Sequence, residues 1–194
     1  MAVLLEGPKE YFVWTTFAAT GCMVAAAFLS GALPKNWTTS LRPVAFAAGS
    51  AALLYAIFYA GALGVRTLHP FGIGPGAEQG IYSLIASPSN PVPLQVVVLL
   101  ADAAGFEAYF RGTLQRRLEA RLGAKSIIAA AGVDAALHLF AFFRYPDIAP
   151  LWVPTTFIAD IVWGLTFRAS KSLFSSFGSH FAWDLGVFVI APIT

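Results

Sequence analysis

Apolar residues gather in six long stretches, at about 11–32, 43–65, 93–113, 126–143, 150–168 and 172–191, separated by segments richer in Pro, Gly and basic side chains. A hydrocarbon core takes about 20 apolar residues of helix, so each stretch predicts a spanning helix and together they predict an all-α, multi-pass membrane helix bundle. Between Arg66 and Pro93, the run RTLHPFGIGPGAEQGIYSLIASPSNP carries loop punctuation. It leaves room for a short interfacial segment around Ile81–Ile85, and His69 is expected there as a wet, structural residue. The first two stretches hold no ionisable side chain and read as scaffold. Small residues let helices approach closely in lipid, which makes Gly21, Gly49, Gly61 and Gly64 expected packing positions. The third stretch differs, because after VVVLLADAAGFEAYF it runs without a breaker into RGTLQRRLEARLG, with Leu114, Leu118 and Leu122 four apart among arginines. That helix is expected to leave the membrane, continue amphipathically along its face and stop at Gly123.

Composition sharpens the membrane reading. The chain has 194 residues, 58% of them hydrophobic and 11% charged, with a mean hydropathy of +0.71, whereas a soluble domain carries roughly 25% charged residues. One transmembrane domain over 1–194 is expected, with 1–92 as N-terminal scaffold helices and loop and 93–194 as the core. The first apolar run begins after Glu6, Lys9 and Glu10 and is too long for a secretory h-region, so it is expected to be retained as a spanning helix. Cys22 is the sole cysteine, which excludes an internal disulfide and a thiolate metal site and leaves Cys22 as an expected packing residue. Eight basic residues (Lys35, Arg42, Arg116, Arg117, Arg121, Lys125, Arg168 and Lys171) fall after the odd-numbered spans, against Lys9, Arg66 and Arg144 on the other side. The positive-inside rule then puts both termini on the non-cytoplasmic side, or its organellar equivalent. Topology alone accounts for the net charge of +2, so the expected surroundings are membrane lipids and no nucleic acid partner is implied.

Five of the ten acidic residues, Asp102, Glu107, Asp134, Asp160 and Asp184, lie inside these apolar stretches together with His138 and His180. A carboxylate at bilayer depth costs about 2.5–3.5 kcal/mol and normally faces a bundle interior, where it pairs or marks a site. Glu107 with Arg111, Asp134 with His138 and His180 with Asp184 are each four apart, on one face of a helix and within reach of a contact. Three helices each carrying such a pair satisfy them most cheaply by converging. A histidine–carboxylate cluster shielded from water can activate a water molecule and polarise a carbonyl. It could equally bind a divalent metal or relay protons in a transporter, although the chain has no His-Glu-x-x-His motif and no pair of broken helices.

The segment Phe106-Glu107-Ala108-Tyr109-Phe110-Arg111-Gly112, then His138, then Gly164 through Ser172-Leu173 to His180-Phe181-Ala182-Trp183-Asp184, resembles the CPBP intramembrane proteases. That family includes the CAAX prenyl endopeptidases and bacterial abortive-infection proteins. Its pattern is Glu-Glu-x-x-x-Arg, Phe-x-x-x-His and His-x-x-x-Asn/Asp, and the similarity runs from about Leu99 to Val189. The resemblance implies a peptidase that needs no metal or other cofactor, in which a Glu and a His activate water and the last-helix His and Asn/Asp stabilise the oxyanion. Glu107 matches the second glutamate, Arg111 the arginine, and His138, His180 and Asp184 the remaining polar positions.

Two positions depart from the pattern. Phe106 stands where the first glutamate, the general base, belongs, and Asp134 stands where the second motif has phenylalanine. Asp134, one turn from His138, could direct a carboxylate into the missing glutamate's place, and Asp102, one turn before Phe106, is a second candidate. Asp160 and Arg168, two turns apart, are expected to serve in structural pairing or as a polar lining, while Trp152, Trp163 and Trp183, with Tyr109 and Tyr145, are expected as belt and packing residues. Two functions follow as expectations. One is an intramembrane endopeptidase acting on a peptide or membrane-protein substrate through Glu107, Arg111, Asp134, His138, His180 and Asp184. The other is a catalytically inactive homologue acting as a scaffold or subunit of a larger membrane complex.

Overall fold

A computed structural model describes residues 10–31, 37–68, 91–139 and 149–190. His69, Ile81–Ile85 and Tyr145 lie outside them, as do Lys9, Lys35 and Arg144 of the charge-asymmetry argument. The described residues are helical throughout apart from short connections: α1 (Glu10–Leu29), α2 (Leu41–Leu68), α3 (Val92–Tyr109), a π-turn (Phe110–Gln115), α4 (Arg116–Leu122), α5 (Ser126–His138), α6 (Ala149–Ser170) and α7 (Leu173–Leu185), which ends in a second π-turn (Gly186–Ile190). Each of the six apolar stretches is helical over most of its described residues. By length and composition Leu41–Gly64, the bent run Val92–His138 and Leu173–Ile190 are long and apolar enough to cross a membrane, and the molecule is an all-α membrane helix bundle.

Burial is inverted relative to a water-soluble protein. The largest fully buried side chains include Arg111, Gln115, Glu107, Asp134 and Asp160, while Trp14, Phe28, Leu53, Tyr59, Leu63, Ile128 and Leu165 face outward. Lipid makes an apolar exterior costless, whereas polar groups must find partners inside. Cys22 is on the exposed side of α1 and does not pack, because the buried face of that helix is carried by Thr16, Thr20 and Ala27.

Helix α7 packs against α2, α3 and α6, while α1 lies along α3 and α5 along α6. Its start is set by Ser172, whose Oγ accepts from the Phe174 amide at 3.2 Å and so caps the first turn. The same hydroxyl donates to the Thr38 carbonyl at 2.7 Å and accepts from the Thr38 amide at 3.3 Å, tying the α1–α2 connection to the head of α7. Arg42, at the start of α2, donates to the Ala169 carbonyl at 2.9 Å and satisfies an end of α6.

The third stretch continues unbroken to Leu122, as its composition predicts, and ends at Gly123, whose φ of +54° is a conformation that glycine adopts freely. Ser126 Oγ donates to the Gly123 carbonyl at 2.7 Å, and α5 then folds back against the π-turn and α4. The π-turn over FRGTLQ is not visible in the apolar pattern.

Close helix approach occurs at glycines other than those expected. A Cβ at Gly21, Gly49, Gly61 or Gly64 would meet nothing within 4 Å, whereas one at Gly105 would lie 2.7 Å from Thr20 Cγ2 and 3.0 Å from its Cα, and one at Gly164 2.7 Å from Ile127 Cγ2. The glycines of α1 and α2 thus face lipid or open space, and the tight crossings are α1 on α3 and α5 on α6. Gly105→Ala is expected to lower stability in detergent by about 1–3 kcal/mol, because the Thr20 backbone cannot give way. Gly61→Ala is expected to leave thermal unfolding unchanged or raise it slightly, through its better helix propensity.

Candidate active site

The polar side chains of α3, α5, α6 and α7 meet in the bundle interior around Arg111. Its guanidinium is fully buried. Nε lies 3.4 Å from Glu107 Oε2, one turn earlier, as their spacing predicts. Nη2 donates to Asp160 Oδ1 on α6, and Nη1 donates to Gln115 Oε1 at 3.5 Å. Gln115 Nε2 in turn donates to the Gly164 carbonyl at 3.2 Å, a contact that the missing Cβ of Gly164 makes room for. The Asp134 carboxyl completes the group, lying beside Asp160 and within the field of Arg111.

Asp160 therefore pairs with Arg111, not with Arg168 as expected. Arg168 reaches Glu119 at 3.5 Å at the partly exposed margin of the bundle. The physical reason is burial: Arg111 is fully buried and its charge must be compensated inside the bundle, whereas Arg168 is partly exposed.

Glu107 links this network to α7, where its Oε1 lies 3.0 Å from His180 Nδ1. The other ring nitrogen of His180, Nε2, faces Asp184 Oδ2 at 3.6 Å. One atom from each of Asp102, His180 and Asp184 falls within 4.8 Å of the others. Trp163 stacks on the His180 ring at 3.8 Å between centroids and an interplanar angle of 15°. Trp163 is thus a wall of the site and not a belt residue, and Trp183 packs on Phe58 and Trp163 nearby.

His138 stands apart from that group. Its Nδ1 lies 3.0 Å from the Asp134 carbonyl and 3.5 Å from Asp134 Oδ1, and its side chain is 22% exposed. Trp152 flanks it at 5.5 Å between centroids, again beside the site and not in a belt. Phe106 lies between the two histidines, 6.5 Å from His138 and 5.9 Å from His180 by ring centroids, and stacks on Phe110 at 4.7 Å. Glu107, Arg111, His180 and Asp184 thus come together, Asp134 joins them through Arg111, and among the described residues His138 touches Asp134 and the aromatic wall.

Sequence reasoning missed Gln115 and Trp163 as parts of this site and misassigned the partner of Asp160. Gln115 and Asp160 carried a readable signal, since each is a polar side chain in an apolar helix that must be satisfied internally. Trp163 carried none, because a tryptophan at helical spacing is as compatible with lipid as with a ring stack.

Fold and site together define an integral membrane helix bundle with a buried carboxylate–histidine–arginine cluster. A family model described as Rce1-like, type II CAAX prenyl endopeptidase Rce1-like, matches residues 88–186, just over half of the chain. The chain belongs to this family, a CPBP-type membrane endopeptidase family, in agreement with the resemblance of its motifs. No curated protein and no solved structure gives a significant match.

Removing one member of the buried pair should be far more damaging than removing one at the margin. Asp160→Ala is expected to destabilise the protein by about 3–5 kcal/mol by orphaning Arg111. Arg168→Ala is expected to cost about 0–1 kcal/mol. Thermal unfolding of the two variants in the same detergent checks the ordering.

Proposed function

We propose that the chain is an intramembrane endopeptidase acting on a peptide or membrane-protein terminus, with His138 as the general base and Asp134 in place of the absent glutamate. All six helices cross the membrane in this reading, with residues 93–194 as the catalytic core. The observation that carries it is the Asp134–His138 contact. It engages Nδ1 and leaves Nε2 of a partly exposed ring to take a proton.

In this reading the scissile carbonyl lies over the Phe106 ring, between the two imidazoles. Water gives a proton to His138 Nε2, its oxygen bonds to the carbonyl carbon, and the proton passes on to the leaving amine as the C–N bond breaks. His180 and Asp184, on the other side of Phe106, face the carbonyl oxygen. Glu107 and Arg111 hold the His180 ring in place and do not touch the substrate.

One observation favours a second reading. Phe106 fills the space between the histidines, as it would in a non-catalytic relative kept for binding a partner protein or lipid. Cleavage of a panel of prenylated peptides and membrane-protein substrates by wild type, His138→Ala and Phe106→Glu separates the two. Wild-type turnover that falls by about 10²–10⁴-fold in His138→Ala is the expected result. Wild-type turnover that survives His138→Ala overturns the role of His138, and turnover confined to Phe106→Glu identifies a disarmed relative.

A further inference from the structure

Two carboxyl groups of the interior touch one another. Asp134 on α5 is in side-chain hydrogen-bonding contact with Asp160 on α6, and the two residues are 1% and 0% exposed. An ionised carboxyl group only accepts hydrogen bonds, so a bond between two of them needs a proton on one. Both oxygens of Asp134 and Oδ2 of Asp160 are buried without a hydrogen-bond donor among the described residues, a state in which a carboxylate is strongly unfavourable. His138 does not supply that donor. Its Nδ1 meets the Asp134 carbonyl at 3.0 Å, and the carboxyl oxygen Oδ1 lies further off at 3.5 Å.

The surrounding charges leave no counter-ion for a second carboxylate in the pair. Helix α3 brings Asp102 toward Asp134 and Glu107 toward Asp160, the π-turn brings Arg111 to both, and α7 brings His180 toward Asp160. The one positive charge of Arg111 is already faced by Glu107 and Asp160, and His180 lies against Glu107. We propose that Asp134 and Asp160 form a proton-binding site, in which Asp134 is a carboxylic acid whose O–H donates to Asp160 and Asp160 is the carboxylate that answers Arg111. The proton resides on Asp134 because Arg111 Nη2 donates to Asp160 Oδ1 and holds the charge there, whereas neither oxygen of Asp134 accepts such a bond. One proton thus turns the repulsion of two like charges across the α5–α6 packing into a hydrogen bond. Asp134 occupies the neighbourhood of the absent glutamate without its charge, as a positioning residue that engages His138 Nδ1 through its carbonyl. The site is a feature of this chain's own residues, since Asp134 stands where the family motif has phenylalanine. It goes beyond the peptidase reading and does not depend on it, because a non-catalytic relative would need the same proton.

The test is infrared spectroscopy of the full chain in detergent at neutral pH, comparing the wild type with Asp134→Asn. The amide of that variant has the shape of the neutral acid and keeps a donor for Asp160. The difference between the two spectra is expected to contain the C=O band of one carboxylic acid, present in the wild type, absent from the variant and shifted to lower frequency in heavy water. A difference that contains only carboxylate bands overturns the proposal. Should Asp134→Asn not fold, the double variant Asp102→Asn, Asp184→Asn with isotope-labelled aspartate carboxyl groups decides alone: an acid band that persists there supports the shared proton, and its absence overturns it. Neither spectrum involves turnover, so a chain that cleaves no substrate leaves the proton site standing.

Discussion

A guanidinium that never loses its proton is enclosed completely at Arg111, and the rest of the interior is arranged to tolerate it. Glu107 supplies a counter-charge from the same helix, Asp160 supplies one across the bundle from α6, and Gln115 turns its amide oxygen toward Nη1 and its amide nitrogen toward the Gly164 carbonyl. Each contact fixes an element: α3 to its own π-turn, both to α6, and through Glu107 and His180 to α7. Removal of one partner from such a group leaves a charge without compensation in a low-dielectric medium, so the group stands or falls as a unit. Buried ion pairs contribute little net stability against apolar packing. Here they tie α3, its π-turn, α6 and α7 to one another.

The histidines divide the site into two halves with different freedoms. His180 is clamped between the Trp163 ring and Glu107, and its orientation is set by packing as much as by charge. His138 contacts Asp134 one turn back on its own helix, is flanked by Trp152 and Phe106, and is partly exposed among the described residues. Phe106 is the partition between them. An aromatic ring there fills the gap that a glutamate would have bridged, so the polar link between the halves runs behind it, through Asp134, Asp160, Arg111 and Glu107.

Much of the helix content was legible because a membrane imposes a simple rule: long apolar runs become helices, and polar residues within them turn inward. The pairs Glu107–Arg111 and His180–Asp184 followed from spacing alone, and the stop at Gly123 from the arginines and leucines that precede it. What spacing cannot convey is contact between helices. Asp160 is 49 residues from Arg111, and nothing local distinguishes that partner from Arg168, two turns away on the same helix. The glycine argument failed for the same reason. Gly21, Gly49, Gly61 and Gly64 look like Gly105 and Gly164 in sequence, and only the crossing of Thr20 over Gly105 and of Ile127 over Gly164 tells them apart. The π-turn was hidden because nothing in the apolar periodicity of FRGTLQ marks the extra residue.

That π-turn carries a consequence for how the chain can change by insertion and deletion. A residue contributes about 100° of rotation to an α-helix, and a π-turn holds one residue more than the α-turn it replaces. Deletion of one residue between Phe110 and Gln115 would restore regular pitch and leave the faces of α4 where they are, whereas straightening the turn without a deletion would rotate α4 by about 100° relative to α3. Gln115 would swing away from Gly164, and Leu118 and the arginines around it would exchange faces. The bulge therefore acts as a phase adjuster, letting the inward face of α3 and the outward, basic face of α4 be set independently within one continuous helix.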